Sequence, residues 1–269
     1  MTAVVLLRAV NDPDLEHGVR ATNVCLAEPA ADALVVGLSH RAVCGGEVIG
    51  MAVGPPGWEP ALRDAIAFGA DRVTRLWDDG EEGGIVETAA AIAAALPAAA
   101  GAVIAGPAAP DHGSGMLPFA LAECLGWPAV EDVVAVESEN GKTVLRVRGR
   151  GGRRFTLALP AHAVLVAARG HALPYPPVAR RLAARRAAIP LLARAGHGGA
   201  PWIIEGYGPA MPVTRHLLRP AANTSAGGRL RHLMSGGATS AQGRASAPQG
   251  SDNMVAQLAD ILAGEGLFE

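Results

Sequence analysis

The chain has 269 residues, of which 50% are apolar, 18% charged and 4% aromatic. That content supports a sizeable core and argues against wholesale disorder. Lys+Arg 23 against Asp+Glu 25 leaves a formal charge of −2, which argues against a whole-chain nucleic-acid binder, and so few rings leave little to stack on single-stranded bases.

The longest apolar stretch, residues 89–106, is Ala-rich and interrupted by Pro97, so no membrane insertion is expected. The opening Met1-Thr-Ala-Val-Val-Leu-Leu-Arg8 has no basic n-region and no cleavage site, and reads as the start of a cytoplasmic protein. Cys25, Cys44 and Cys124 lie far apart with no C-x-x-C pair, so neither a disulfide frame nor a metal site is expected.

Residues 3–7 are a continuous apolar run with β-branched members and predict a buried strand. Residues 29–38 carry apolar side chains at helical spacing. Residues 48–53 predict a second strand, stopped by Gly54-Pro55-Pro56-Gly57. Ala61, Leu62, Ala65, Ile66 and Phe68 give one face of a helix that ends at Gly69. Residues 72–77 predict a third strand, and residues 78–84 an acidic loop. Ile85, Ala89, Ile92 and Leu96 fall at i, i+4, i+7 and i+11, the stripe of a helix. Residues 102–105 predict a fourth buried strand and residues 117–125 a fourth helix.

This alternation of apolar strands and amphipathic helices predicts an α/β fold with a mostly parallel, doubly wound sheet. Residues 130–137, 143–147 and 155–159 predict a small antiparallel addition, turned at Asn140-Gly141. Residues 163–167 return to a buried strand. From residue 174 onward prolines punctuate the chain, and residues 221–251 are rich in Ala, Gly, Ser and Thr. The predicted division is an α/β domain over residues 1–190 and an extended C-terminal arm over residues 191–269. A last helix over 252–262 presents Val255, Leu258, Ile261 and Leu262, which need a surface to dock on.

The most informative stretch is Gly106-Pro-Ala-Ala-Pro-Asp111-His-Gly113-Ser114-Gly115, which follows a buried strand and opens a helix. In a parallel α/β sheet, ligands sit at the carboxyl ends of the strands. Gly113 and Gly115 permit close backbone approach, and Ser114 with the N–H groups of the helix start suits a phosphate or another anion. An ordinary glycine-rich connection would carry the same composition. The stretch is not the dinucleotide fingerprint, because Pro118 stands where the third glycine is needed, and no Gly-Lys-Ser/Thr follows as in a P-loop.

Catalytic groups are scarce. Asp111 and His112 are adjacent, and sequence neighbours seldom form the base–orienter geometry of a triad. His162 and His171 are isolated, and no His-Glu-x-x-His or nucleophile elbow is present. No catalytic residue and no metal ligand set is expected. Arg180, Arg181, Arg185 and Arg186 form a basic helical cluster behind Pro176-Pro177, and Arg146, Arg148, Arg150, Arg153 and Arg154 form another. Each is either a solvated face or a docking surface for an acidic partner.

Four stretches together resemble the β subunits of electron transfer flavoproteins. They are Val5-Leu-Leu-Arg-Ala-Val-Asn-Asp-Pro13; Val53-Gly-Pro55 followed by Ala65-Ile-Ala-Phe-Gly-Ala-Asp-Arg72; Ala122-Glu-Cys-Leu-Gly-Trp-Pro128; and Leu157-Ala-Leu-Pro-Ala161 followed by Tyr175 and the Arg-rich helix. The resemblance covers most of residues 3–190. It implies an adenine-nucleotide-binding, Rossmann-like fold and a non-catalytic electron carrier paired with an α subunit. That α subunit would hold most of the FAD. Electrons would come from a flavin-dependent dehydrogenase and pass toward a quinone oxidoreductase. The C-terminal arm would wrap the partner subunit.

The resemblance also places an AMP-type site at Leu6, at Asn23, Val24, Cys25 and Leu26, at Val53, and along Gly106, Asp111, Gly113, Ser114, Gly115, Met116 and Leu117. The family's polar Asn-Gln-Thr-Gly ending is replaced here by Gly115-Met116-Leu117-Pro118. The expectation is therefore an altered site with weak AMP binding or none. Dehydrogenase docking would fall on Tyr175, Val178, Arg180 and Arg181, with Val178 as the anchor. A different class, a stand-alone nucleotide-binding α/β enzyme, is the rival reading.

Overall fold

The computed structural model describes residues 1–11, 24–77, 84–109, 113–173, 175–192 and residue 227. The elements below all fall within the unit Met1–Ile203. In chain order they are β1 (Thr2–Leu7), β2 (Ala9–Asn11), β3 (Val24–Leu26), α1 (Glu28–Cys44), β4 (Val48–Val53), α2 (Glu59–Phe68), β5 (Arg72–Leu76), α3 (Ile85–Ala95), β6 (Ala100–Ala105), α4 (Leu117–Leu125), β7 (Ala129–Glu139), β8 (Lys142–Arg148), β9 (Arg154–Ala158), β10 (Ala163–Ala167), α5 (Val178–Arg185) and β11 (Leu191–Leu192).

Nine strands form one sheet in the order β11-β5-β4-β1-β6-β10-β7-β8-β9. Neighbours pair in parallel from β11 to β7, and the β7-β8-β9 end is antiparallel. The chain starts in the middle at β1, winds outward through β4 and β5, then returns to the other side of β1 at β6. The sheet is therefore doubly wound, and its winding reverses between β1 and β6. The parallel core strands show no in/out alternation because both faces are covered. Every residue of β6 and β10 is buried.

Two cores follow. Leu34 of α1 and Leu62 of α2 pack with Val5, Ile104 and Leu165 on one face. Ile92 of α3 and Leu121 of α4 pack with Val4, Val103 and Val164 on the other. Strand β9 is exposed at every position, as an edge strand at the end of the antiparallel extension. The Asn140-Gly141 turn is confirmed, with φ of 52° and 75°, the left-handed pair that a two-residue hairpin requires.

Some features differ from the predicted elements. Helix α1 runs on to Cys44, beyond the expected end at 38. Gly37 lies so close to β1 that an added Cβ would sit 2.6 Å from Val5 Cγ2, so the helix continues through a glycine that packing demands. The short pair β2–β3 and strand β11 were not predicted. Most of the acidic loop, the C-terminal arm beyond residue 192 apart from residue 227, and the helix predicted over 252–262 lie outside the described residues.

Candidate functional site

At the carboxyl ends of β1 and β6, where the winding reverses, a cleft of about 120 Å³ opens. Leu6 of β1, Met51 and Val53 of β4, Ile92 of α3 and Leu117 of α4 make its lining largely apolar. Arg8, Thr88 and Ser114 add polar atoms. The Arg8 guanidinium carbon lies 5.0 Å from the centre of the Trp58 ring, a cation–π arrangement.

The loop glycines have local reasons to be glycine. A Cβ on Gly106 would lie 2.3 Å from Pro29 O, so Gly106 lets the start of α1 sit against the end of β6. Gly115 has a φ of 62°, and a Cβ there would lie 2.7 Å from Pro107 O. Gly113, with a φ of 65°, donates its N–H to Ala109 O at 2.8 Å. All three positions serve closure of the chain upon itself.

The start of α4 is sparing with donors. A helix normally leaves about four N–H groups unsatisfied at its start. Here Pro118 has no N–H. Met116 N–H points to Ser114 Oγ at 3.4 Å, and Phe119 N–H donates to Met116 O at 3.1 Å. Leu117 supplies what remains. The Met116 side chain is 55% exposed and does not line the cleft.

A second groove, of about 270 Å³, lies between β3, α2 and the segment before α5. Cys25 and Leu26 line it together with Asp64, Phe68, Tyr175 and Arg181. The structure thus divides the positions that the sequence grouped together. Leu6, Val53, Gly106, Ser114, Gly115 and Leu117 line the switch-point cleft, while Cys25 and Leu26 face the second groove. Val24 pairs with Asn11 at the end of the β2–β3 ladder. Gly113 and Met116 lie on the loop outside the cleft lining. Asn23, Asp111 and His112 lie outside the described residues.

The docking positions come together at the start of α5. Tyr175 is 83% exposed, and Arg181 Nη1 donates to its hydroxyl at 2.8 Å with the guanidinium carbon 5.4 Å from the ring centre. Val178 is 73% exposed, and Leu182, one turn on, is 54% exposed. Arg180, Arg185 and Arg186 are exposed around them, and Ala184 is the buried contact of the helix. Sequence reasoning missed Leu182. The signal was present, since Val178 and Leu182 stand at i and i+4 and so share a helix face.

The histidines have structural partners or none. His162 stacks against Trp127 at 4.9 Å between ring centres. His171 has Nδ1 2.8 Å from Ala168 O and Nε2 2.8 Å from Val134 O, and its backbone N–H donates to Asp32 Oδ1 at 2.7 Å. It ties the loop after β10 to β7 and to α1. His40 is fully buried with no hydrogen-bond partner on either ring nitrogen. Burial, and secondarily the positive charge at Met1's amino group, push its pKa below the ordinary 6.5. No described histidine lines either groove. Among the described residues, no three His, Cys, Asp or Glu could hold a metal, and no helix is long and apolar enough to cross a membrane.

Arg146 bonds to Glu137, lies 3.4 Å from Glu139 and contacts Thr156, a ladder across β7, β8 and β9. The hydrogen bond to Glu137 raises its pKa further, so it stays charged.

A doubly wound sheet with its cleft at the reversal point defines an α/β protein of the Rossmann-like class. Within that class the comparisons are specific. Residues 20–195 match the model of the electron transfer flavoprotein domain. The chain is 32% identical over 176 residues to the electron transfer flavoprotein subunit beta of Mycobacterium leprae, and equally to that of Mycobacterium tuberculosis. Each match covers 59% of this chain and 66% of the relative. The subunit beta of Syntrophomonas wolfei is 33% identical over 116 residues, covering 43% of this chain and 46% of the relative. The chain belongs to the electron transfer flavoprotein family, on its β-subunit side. It spans slightly less than two thirds of the mycobacterial relatives it matches.

Proposed function

We propose that the chain is the β subunit of a heterodimeric electron transfer flavoprotein, a cytoplasmic carrier and not an enzyme in its own right. The observation that carries this reading is the family match running through residues 20–195. The α subunit holds most of the FAD, which supplies the one- and two-electron chemistry when bound. This chain's own work is to border that flavin, support the α subunit and present a docking surface. The arm over 191–269 docks on the α subunit, through the apolar residues Val255, Leu258, Ile261 and Leu262 near its end. Electrons arrive from a flavin-dependent dehydrogenase and leave toward a quinone oxidoreductase.

The exposed set Tyr175, Val178 and Leu182 suits dehydrogenase docking. The Arg181–Tyr175 bond and the flanking prolines pre-order the segment, which lowers the ordering cost of binding. Arg180, Arg185 and Arg186 then steer an acidic rim toward it.

Expression of the chain alone and together with an α-type subunit tests the proposal. The carrier reading expects flavin to be retained only in the heterodimer. A stable, flavin-free monomer with turnover of its own would favour the stand-alone nucleotide-binding enzyme.

A further inference from the structure

We infer that Arg63 is a positioning residue for docking: from α2 it pins the far end of α5 and so sets how Val178 and Leu182 are presented to the dehydrogenase. The inference rests on the docking reading above and extends it to a residue outside the docking face. Helix α5 has little of its own to hold it. It runs for 8 residues, too few for a stable isolated helix, and Ala184 is the one residue of the helix that is buried. Arg181 and Arg185 stand at i and i+4, where like charges destabilise a helix. Its place therefore depends on what fixes its ends.

At the near end the Arg181–Tyr175 bond orders the approach. At the far end the backbone is fixed by two hydrogen bonds. Arg75 N–H donates to Pro190 O at 2.9 Å, where the chain turns into β11 beside β5. Arg63 Nε donates to Ala187 O at 3.1 Å, just past the end of α5. That carbonyl lies at the negative end of the helix, where a cation is favoured.

Arg63 is itself held in place for this contact. Its Nη2 donates to Glu59 Oε2 at 2.9 Å, one turn earlier on α2. The other oxygen of Glu59 accepts from Arg75 Nη2 at 3.4 Å. Arg75 is buried, with Nη1 donating to Gly54 O at 3.2 Å. A buried arginine on β5 thus orders the carboxylate, the carboxylate orders the Arg63 fork, and the fork holds α5. Glu59 also offsets the charge that Arg63 brings to an arginine-rich helix. A lysine ammonium lacks the flat fork that meets Glu59 and Ala187 O together. Without Arg63 the far end of α5 is free to shift. The docking-competent arrangement then becomes a smaller fraction of the population, and apparent affinity falls by that fraction.

The experiment uses the heterodimer formed with the α subunit and the variant Arg63→Met, which keeps a hydrocarbon stem and removes the fork. The donor dehydrogenase is assayed with the heterodimer as varied acceptor. The expected result is an apparent KM raised about five- to twentyfold, the weight of a charge-assisted hydrogen bond discounted for partial exposure, with kcat and FAD content close to the parent's. Amide hydrogen exchange should quicken across residues 178–187 and stay at the parent's rate in β1, β6 and β10. Added to Val178→Ala with Leu182→Ala, the same change should raise KM by less than about twofold, because the face it positions is already gone; a residue with a merely structural role would show its full effect there. Arg63→Lys, which keeps the charge beside Glu59, is read by the same criteria if Arg63→Met yields no heterodimer. A KM close to the parent's, unchanged exchange across residues 178–187, or equal effects in the two backgrounds would overturn the inference. If Val178→Ala with Leu182→Ala itself leaves KM unaltered, the docking reading fails instead, so the two failures are distinguishable.

Discussion

Replacing Val178 and Leu182 together by Ala should weaken dehydrogenase docking and leave the fold alone. The two side chains are 73% and 54% exposed, so the folded chain gains little from them. Val178→Ala removes two carbons and Leu182→Ala three. At about 0.8 kcal/mol per buried CH₂, scaled by the fraction still available to a partner, each change costs docking about 1.2 kcal/mol. The pair should cost about 2.5 kcal/mol, or roughly sixtyfold in affinity. Alanine is a strong helix former, so α5 should persist. The assay is the steady-state rate of the donor dehydrogenase with the heterodimer as varied acceptor, read as its apparent KM. Thermal midpoint and FAD content of the double variant should match the parent. An apparent KM within twofold of the parent would refute the assignment of this face to docking.

Reversing the charge at Arg180 and Arg181 to Glu should slow association strongly at low ionic strength and less at high salt, because long-range steering is screened; stopped-flow rates at two salt concentrations would show it, and a salt-independent rate would mark the arginines as a solvated face. His40→Leu should flatten the loss of stability on acidification. Burial holds the folded pKa below the unfolded 6.5, so the native state keeps its full stability above pH 6.5 and loses it as pH falls below that value. Denaturant midpoints at pH 7 and pH 5.5 test this, and an unchanged difference between them would argue against it. Gly106→Ala should destabilise the chain by about 1–3 kcal/mol, since the new Cβ would meet backbone oxygen at Pro29 and the neighbours cannot move aside cheaply; a thermal midpoint equal to the parent's would contradict that packing.

Much of the sheet was readable because its strands are uniform. β4, β10 and α4 lie where the apolar runs and the helical spacing put them, and the alternation of elements placed the cleft at the strand ends. The misses were tertiary. α1 continues through Gly37 because β1 lies against it, which no local pattern reveals. β2 and β3 are three residues each, too short for any periodicity, and their pairing turns Cys25 and Leu26 toward a groove shared with Tyr175. Gly115 looked like a ligand-facing glycine from the loop's composition, and the family resemblance put Gly106 in the nucleotide site. Their partners, Pro29 O and Pro107 O, became visible only with the backbone folded.

The reduction of the flavin by a donor dehydrogenase tests the account most directly. The complex of this chain with an α-type subunit, and the α subunit by itself, would each be mixed with a substrate-reduced flavin-dependent dehydrogenase in a stopped-flow spectrometer. The carrier reading predicts rapid bleaching of the heterodimer's flavin, slow or no bleaching without this chain, and recovery of colour on adding a quinone oxidoreductase with its quinone. Equal bleaching rates with and without this chain would contradict the reading, because the chain would then contribute nothing to electron acceptance.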